Sequence, residues 1–420
     1  MLMVLPQNQF KFMETLFNYP SRQIYYMKYL TVFIFIFSSL WVQAQVTRTC
    51  RVRNNSNEQI YDAAIVLPVK DNNVKGVTIY YKGKEIASQL DDLDQDGIAD
   101  EIVFLSDFKG KEKKEFTITF SEKPFPTNRY AARVHAQMFK KEKDKSITPI
   151  TEASSPTGTL YKNLHHHGPA FESELMAYRI YFDKKQTVDV YGKYHKQLEL
   201  ARSLWYPTDE QLAEGFGDDI LRVSGSTGVG TLKGWNGKKA IHIEPVDNRE
   251  ARIIASGPLR TVVDMNSYGW LYNGEKIDLK SRYILYAGHR DAEVYNTFTG
   301  DTDSLIFCTG VQKIKDCEMD QNGKNRVAVW GTDFPVNDTI KYGKQTLGLA
   351  VDLRKAKCIK PAEDKANYLY LVKPDNNNQI NYRITVCSHK ETFGYHNSKD
   401  FFKYVRIWAS RPCNLLEINY

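Results

Sequence analysis

Three consecutive histidines open a short stretch that is unusually rich in groups able to carry protons. It reads HHHGPAFESE and spans residues 165–174. Histidine titrates near neutral pH and is a common general acid or base, and two carboxylates can flank a bond that is hydrolysed. His166, His167, Glu172 and Glu174 are therefore candidate catalytic residues. Adjacent histidines cannot all point the same way on a strand, so an exposed polar loop is the alternative.

Cationic and aromatic residues follow in the segments YRIYFD and VDVYGK. On a regular strand Arg179 and Tyr181 share one face, and Lys193 shares the face of Tyr191. Arginine can bind a carboxylate through two hydrogen bonds, and tyrosine offers a sugar both a ring and a hydroxyl. The pattern predicts that Arg179, Tyr191 and Lys193 bind an anionic or hydroxyl-rich ligand and that Tyr181 moves a proton. The alternative is ordinary packing and solvent exposure.

Large aromatic residues flank a glycine-rich segment at 225–230, which reads GSTGVG. Trp205, Trp235 and Trp270 are candidates for stacking on sugar rings, and their alternative role is as core residues of a β domain. The glycine segment lacks the Lys-Ser/Thr ending of a phosphate loop and a clear helix after it. We therefore predict that no nucleotide binds.

An acidic loop, DLDQDGIADE, begins at Asp92. Asp92, Asp94 and Asp96 follow the alternate spacing of a calcium loop, with glycine at its sixth position, and Asp100 lies close behind. Val103 stands where such a loop needs a bidentate Glu, and a strand rather than a helix follows. The loop predicts a structural Ca²⁺ site in the N-terminal module, with a bare acidic turn as the alternative.

The elements that must position these residues are strands. Alternating or β-branched and aromatic runs such as EFTITF, TVDVY and YRITV are separated by turn residues, which predicts an all-β fold. A small N-terminal β-sandwich module at 46–125 and a linker at 126–157 precede a large β-sandwich domain at 158–420. The best helical candidate is TDEQLAE, with Thr208 as its N-cap.

An apolar run of about a dozen residues, the length of a signal-peptide core, lies near the start of the sequence. Residues 27–44 are predicted to be a signal peptide, residues 1–26 a spurious upstream extension, and the protein periplasmic. The formal charge of +7 is diffuse, and its lysine runs contain interleaved acids. We therefore expect neither a nucleic-acid partner nor a membrane span in the mature chain.

Several segments in order resemble the DUF4861 family of exported Bacteroidetes proteins associated with polysaccharide utilisation. They are DDLDQDGIADEIVF, GPAFESELMAYRIYFDKKQTVDVYGK, DILRVSGSTGVG, GPLRTVVDMNSYGW and YILYAGHRDAEV. The resemblance implies a role in processing glycans, including uronic-acid-containing or pectin-like material, and a large domain similar to the supersandwich of galactose-mutarotase-like proteins. It carries over no catalytic residue.

Three functions follow as hypotheses. The first is an enzyme acting on an acidic oligosaccharide, as a polysaccharide lyase or a glycoside hydrolase. In the lyase, Arg179 or Lys193 neutralises a uronate carboxylate while a histidine or Tyr181 carries the proton; in the hydrolase, Glu172 and Glu174 flank the bond. The second is a non-catalytic glycan-binding or mutarotase-like protein. The third is a structural envelope protein without a concave polar site.

Overall fold

The computed structural model describes residues 46–71, 73–126, 128–340, 342–412 and 415–420. The predicted signal peptide and the segment before it lie outside these residues, so both stay predictions. Among the residues described, no helix has the length and apolar character needed to cross a membrane.

Strands dominate the described chain, and the prediction of an all-β sandwich fold is confirmed. The first are β1 (Thr47–Asn54), β2 (Ile60–Pro68), β3 (Gly76–Tyr81), β4 (Lys84–Ile86), β5 (Ser88–Asp91), β6 (Glu101–Phe108) and β7 (Lys113–Ser121). Next come β8 (Val134–Gln137), β9 (Phe139–Lys141), β10 (Ile147–Pro149), β11 (Glu152–Ser155), β12 (Ala170–Ser173), β13 (Met176–Ile180), β14 (Val188–Gly192), β15 (Asp218–Asp219), β16 (Lys233–Trp235) and β17 (Ala240–Ile241).

The last group contains the longest strands. They are β18 (Asn248–Ser256), β19 (Arg260–Tyr272), β20 (Glu275–Tyr286), β21 (Asp291–Thr299), β22 (Phe307–Gln312), β23 (Glu318–Gln321), β24 (Arg326–Asp333), β25 (Gln345–Asp352), β26 (Lys357–Glu363), β27 (Asn367–Lys373), β28 (Gln379–Ser388) and β29 (Leu416–Asn419). Among the residues that the structure describes, the helices are α1 (Leu200–Ser203), α2 (Asp209–Ala213) and α3 (Ser398–Ser410), and a 3₁₀ turn spans His165–His167.

The N-terminal strands form two antiparallel sheets around a shared core, β29-β1-β7-β3-β4 and β2-β6-β5. Alternation along β7 buries Phe116 and Ile118, which meet residues of the second sheet such as Phe104. The closing strand β29 pairs with β1, so the end of the chain completes the N-terminal sheet. The same core also includes Val262 of β19 and Ile284 of β20, together with Leu259 just before β19, and it therefore covers one face of the large sheet.

Three sheets enclose the main core of the molecule. They are the nine-stranded sheet β11-β18-β19-β20-β21-β28-β25-β24-β23 and the five-stranded sheets β15-β14-β13-β12-β8 and β17-β16-β22-β27-β26. Val263, Val190 and Val372 come one from each sheet and belong to one apolar cluster. The sheet that contains β12, β13 and β14 therefore packs against the main core, and it carries Arg179 on β13 and Asp189 on β14.

The sequence predicted helix α2 but did not predict helix α3. Thr208 caps α2 by accepting a hydrogen bond from the backbone of Gln211, which confirms the predicted helix. Helix α3 was not predicted. Asn397 caps it, and its buried side chains, which include Phe401, Val405 and Trp408, recur at helical spacing against the large sheet.

Candidate functional site

The site begins with two residues that face each other on neighbouring strands. Arg179 of β13 lies directly opposite Asp189 of β14 in the antiparallel register. Directly opposed residues project to the same face of a sheet, which brings the guanidinium to the carboxylate. Both side chains are buried, and Nη2 of Arg179 donates to Oδ2 of Asp189 at 2.6 Å. The strand pairing therefore fixes this ion pair, which is the centre of a cluster of polar side chains that also includes Asp219, Tyr181 and Tyr206.

Arg179 contacts four further groups of the protein, so its guanidinium is already occupied by protein partners. Its Nη2 also donates to Asp219 Oδ2 at 2.9 Å and to the Tyr181 hydroxyl at 2.7 Å, and its Nη1 donates to the Tyr206 hydroxyl at 3.0 Å. The guanidinium lies 4.5 Å from the ring centre of Trp205. Burial alone would lower the pKa of Arg179, but the carboxylates of Asp189 and Asp219 hold that pKa well above its usual value.

Asp219 is the carboxyl of the cluster that reaches the surface. Its side chain is 15% exposed, whereas that of Asp189 is fully buried. Burial and the charge of Asp189 together raise the pKa of Asp219 to about 8, against the opposing charge of Arg179. Asp219 therefore carries its proton at neutral pH and can donate it, as a general acid must.

These groups open onto a cleft of about 530 Å³, within the range of small-ligand sites. We call it the cleft. Its lining residues are Tyr161, His167, Arg179, Tyr181, Lys185, Tyr206, Asp219, Leu221, Arg222, Val223, Ser224, Pro335, Val336 and Asn337.

The three histidines point in three directions, and only His167 lines the cleft. The ring of His165 bonds to the Leu204 carbonyl at 3.1 Å, and His166 is buried at 1% exposure. The His167 ring stacks on Tyr161 with centroids 4.0 Å apart and planes 3° apart. Because a carbonyl can only accept, Nδ1 of His167 must donate to the Tyr161 carbonyl, at 2.7 Å, which leaves Nε2 as the basic nitrogen. Burial lowers the pKa of His167, so the ring is neutral at pH 7.

Two further cations face the cleft. Lys185 lies 5.2 Å from the centres of the Tyr161 and Tyr181 rings and 3.2 Å from the carboxylate of Asp183. Arg222 is exposed and donates to Asn337, and in the described chain no carboxylate lies within 4.0 Å of it. With Asp219 protonated, the cleft carries an excess of positive charge and suits an anion.

Tyr181 lies in the cleft, as its sequence position suggested, but its chemistry differs from the prediction. Its hydroxyl donates to Asp189 Oδ2 at 2.9 Å while accepting from Arg179. Burial and the charge of Asp189 raise its pKa far above the usual value. Tyr181 therefore stays protonated, and the structure gives it the role of holding Asp189 and Arg179 in place.

Glu172 and Lys193 do not line the cleft, because they form a fully buried ion pair with each other. Glu172 also accepts hydrogen bonds from the backbone of Glu199, at 2.9 Å. The Tyr191 hydroxyl donates to the Glu199 carboxylate at 2.8 Å and is likewise buried. Glu174 pairs with an arginine, Arg133, outside the cleft. The structure thus corrects the sequence interpretation of these residues, which act in folding the strands together.

The tryptophans also separate. Trp205 is buried beneath the cluster, where its Nε1 donates to Asp219 at 3.2 Å, so it supports the site without being open to a sugar. Trp270 stacks on Tyr272 at 4.8 Å in the main core. Trp235 is half-buried on β16, away from the cleft. Trp270 and Trp235 therefore do not contribute to the site. Their large apolar rings pack within the β domain and stabilise it.

The acidic loop brings three of its four predicted ligands together. One carboxylate oxygen from each of Asp92, Asp94 and Asp100 lies within 4.8 Å of the other two. Asp96 is not part of this group, and its carboxylate accepts from the backbone of Ile98 at 2.8 Å. Oxygens in this number and at this spacing fit the carboxylate share of a Ca²⁺ site. The others also accept backbone N–H groups within the loop, as in an acidic turn.

The cleft contains residues that the sequence reasoning missed. Asp189 left a signal, because a carboxylate between two valines in a buried strand, one strand away from Arg179, indicates a buried ion pair. Asp219, Tyr161 and Arg222 left none, since only the long-range pairing of β14 with β15 and the arrangement of the loops bring them to Arg179.

The comparisons with known proteins concern the whole chain. No curated protein matches the sequence. Two solved structures from Enterococcus faecalis, a protein in glycosyl hydrolase family 38 and an alpha-mannosidase, are each 9% identical with a TM-score of 0.43. The matches cover 89% of this chain and 47% and 46% of those proteins, so the chain spans about half their length. A family described as a domain of unknown function, DUF4861, matches residues 52–417, and the chain belongs to this family.

Proposed function

We propose that the protein is a periplasmic carbohydrate-active enzyme that cleaves an acidic oligosaccharide by β-elimination, as a polysaccharide lyase. One observation carries the proposal: a neutral imidazole, a protonated carboxyl, the cation Lys185 and the unpaired cation Arg222 line the same cleft of about 530 Å³. These are the base, the acid and the charge neutralisation that removal of a proton beside a uronate carboxylate requires. An exported protein would meet such substrates outside the cytoplasm.

The step balances with the residues of the cleft. Nε2 of His167 takes the proton from the carbon next to the sugar carboxylate, while Arg222 and Lys185 neutralise the charge that develops on that carboxylate. The electron pair forms a carbon–carbon double bond in the sugar ring and the glycosidic carbon–oxygen bond breaks. The leaving oxygen takes the proton of Asp219. Arg179 is a positioning residue here, since it holds Asp219 at 2.9 Å.

Hydrolysis through two carboxylates receives less support. A glycoside hydrolase needs two carboxyl groups that both reach the sugar. Asp219 lines the cleft, but Asp189 is fully buried and Glu172 is bound to Lys193. The cleft therefore offers one accessible carboxyl where hydrolysis needs two.

Histidine substitution tests the lyase. Asparagine suits the left-handed backbone at His167, where φ is 68°. With pectic, alginate, ulvan and glycosaminoglycan substrates, the wild-type protein should raise the ultraviolet absorbance of the unsaturated product, and His167→Asn should slow this by about 10²–10⁴-fold. His165→Asn is the matched control, because His165 belongs to the same turn but does not line the cleft. No absorbance with any substrate would exclude the lyase, and new reducing ends without absorbance would indicate a hydrolase.

A glycan-binding or mutarotase-like protein is the second candidate, and Tyr206 favours it. The residue is 47% exposed at the cleft, while its hydroxyl is held by Arg179. A rigid exposed ring can stack on a sugar without any bond being broken. Calorimetric binding of an acidic oligosaccharide that stays intact would support this candidate, and a loss of that binding in Tyr206→Ala would locate it in the cleft.

A further inference from the structure

A second cavity of about 620 Å³ adjoins the cleft. Its lining residues are Thr157, Gly158, Thr159, Tyr161, Lys162, Asn163, Asp183, Lys184, Ile243, Glu244, Pro245, Val246 and Arg249. Tyr161 lines both spaces, and the Lys185–Asp183 ion pair joins them because Lys185 lines the cleft and Asp183 the second cavity. A ligand that fills the cleft would therefore meet the second cavity across the Tyr161 ring.

Arg249 gives the second cavity a buried positive charge. It is 1% exposed, and its guanidinium donates only to neutral acceptors, the carbonyls of Gly158 and Ile243 and the Ser267 hydroxyl. No carboxylate of the described residues lies within 4.0 Å of it. Burial lowers the pKa of Arg249 to about 10, against the more distant charges of Asp183 and Glu244. A buried charge without a partner is costly, so an anion brought to this cavity is stabilised.

The other charges of the cavity do not cancel that of Arg249. Lys184 pairs with Glu244 at 2.9 Å, and Asp183 pairs with Lys185. Lys162 is exposed and makes no ion pair among the described residues. Arg249 and Lys162 are thus two unmatched cations, and the threonine and asparagine side chains around them offer hydrogen bonds to sugar hydroxyls.

We propose that the second cavity binds a further anionic sugar unit of the same oligosaccharide, with Arg249 and Lys162 supplying its positive charge and Tyr161 separating the two units. The inference rests on the proposed function and narrows its substrate to chains with acidic units on both sides of Tyr161. The protein should accordingly prefer acidic oligosaccharides over the free uronic acid.

Isothermal titration in the His167→Asn background, which cleaves its ligand too slowly to matter during a titration, tests the second cavity with uronic acids and their oligosaccharides from pectin, alginate, ulvan and chondroitin sulfate. With the second cavity unaltered, the protein should bind the best tetrasaccharide about tenfold more tightly than its monosaccharide, and Arg249→Gln and Lys162→Glu should each remove about tenfold of that gain. Both variants should keep the monosaccharide affinity. The matched controls are Arg252→Gln, on the same strand as Arg249, and Lys143→Glu, at another exposed position, and both should behave as the His167→Asn protein does.

The outcomes separate the inference from the proposed function. Equal affinity for short and long ligands, or a tetrasaccharide affinity unchanged by both variants, would overturn the second cavity while the cleft stands. No binding of any of these saccharides by the wild-type protein would overturn both. Should Arg249→Gln unfold at the assay temperature, Lys162→Glu decides alone, because Lys162 is exposed and its replacement leaves no buried group unpaired.

Discussion

At the scale of single residues, Arg179 shows how a correct position can carry a different role. The sequence predicted that it binds an anion. In the structure its charge is matched by the buried carboxylate of Asp189 at 2.6 Å, and its remaining donors are occupied by Asp219 at 2.9 Å and by two tyrosine hydroxyls, so the guanidinium has little attraction left for a ligand. Lys185 and Arg222 carry the charge that a substrate would meet. Arg179 instead fixes the carboxyl that donates the proton.

The pH dependence of turnover follows from two shifted groups. Burial lowers the pKa of His167 from 6.5, and the base is active only when neutral, so the rate should rise with pH until His167 has lost its proton. The pKa of Asp219 is raised to about 8, and the acid is active only when protonated, so the rate should fall above about pH 8. A bell-shaped profile of kcat/KM between these limits is expected.

Variants at neighbouring carboxyls assign the alkaline limb of that profile. Asp219→Asn should lower kcat/KM by about 10²–10⁴-fold and abolish the fall near pH 8, since an amide does not titrate. Asp218→Asn is the control, because Asp218 pairs with Lys390 and does not line the cleft. An alkaline limb that persists in Asp219→Asn would show that another group supplies the proton.

The sequence predicted the site residues that lie close together along the chain but missed a residue that lies far from them in sequence. Arg179, Tyr181 and His167 lie in one short segment, and their chemistry marked it. Asp219 comes from a two-residue strand that follows two helices, so its approach to Arg179 depends on pairing that no local pattern encodes. Individual residue types indicated the kind of ligand, but only the tertiary fold decided which charges remain unpaired.

At the scale of elements, a buried ion pair joins β12 to the loop after β14. Glu172 on β12 binds the ammonium of Lys193, which also donates to the carbonyls of Ser173 and Gln197. The Glu172 carboxylate further accepts from the backbone of Leu200 at 2.8 Å, at the start of α1. Glu172 projects from the same face of the sheet as Arg179 and Asp189, because Ala170 opposes Arg179 and Glu172 lies two residues further along β12. The pair therefore serves the site by fixing its sheet.

Removal of one partner from this pair should destabilise the protein strongly. Lys193→Met leaves the Glu172 carboxylate buried without its cation and should lower the free energy of unfolding by about 3–5 kcal/mol. Lys313→Met is the matched control: its partner Glu363 is 65% exposed in its side chain and stays solvated, so its loss should be much smaller. Urea unfolding followed by circular dichroism measures both. A loss in Lys193→Met as small as in the control would mean that water reaches Glu172.

The loop between β5 and β6 gives the second prediction about an element. We propose that Asp92, Asp94 and Asp100 hold Ca²⁺ there and that the ion stiffens the N-terminal sheets. Calcium at about 100 times its dissociation constant should stabilise the protein by about 2.7 kcal/mol, visible as a rise in Tm over a sample in chelator. Asp94→Asn should remove most of this rise, whereas Asp96→Asn should keep it, because Asp96 lies outside the group of three. An unchanged Tm on adding Ca²⁺ would identify the loop as a plain acidic turn.

The sequence predicted several strands but missed the longest helix described, and both outcomes have physical reasons. Period-two alternation identified β7, β14 and β28, because each has one face on a core and neighbours at fixed register. Helix α3 was missed even though Phe401, Val405 and Trp408 follow a helical period. Its aromatic and β-branched residues are also typical of strands, and nothing local separates the two.

At the scale of the whole molecule, the N-terminal sheets and the large sheet share buried contacts. Arg260 of β19 is 1% exposed and donates to Asp91 at 2.6 Å and to Glu101 at 2.7 Å, both in the N-terminal sheets. The Gln89 side chain donates to the Arg260 carbonyl at 3.0 Å. Residues 47–420 accordingly form one compact unit, although the sequence predicted a small module, a linker and a large domain along this span.

These shared contacts predict that the chain from 47 onward unfolds in a single step. If the N-terminal sheets melted first, Arg260 would stay behind without its carboxylates, and Leu259 and Val262, both at most 2% exposed, would meet water. Leaving Arg260 unpaired and exposing these apolar side chains would both cost free energy. The N-terminal sheets and the large sheet should therefore stabilise each other. Differential scanning calorimetry should therefore give one transition with equal calorimetric and van't Hoff enthalpies.

Arg260→Gln should lower the Tm of this transition, while Arg252→Gln, at a partly exposed position on the adjacent strand, should change it little. Two resolved transitions in the wild-type protein would show instead that the N-terminal sheets fold as an independent domain.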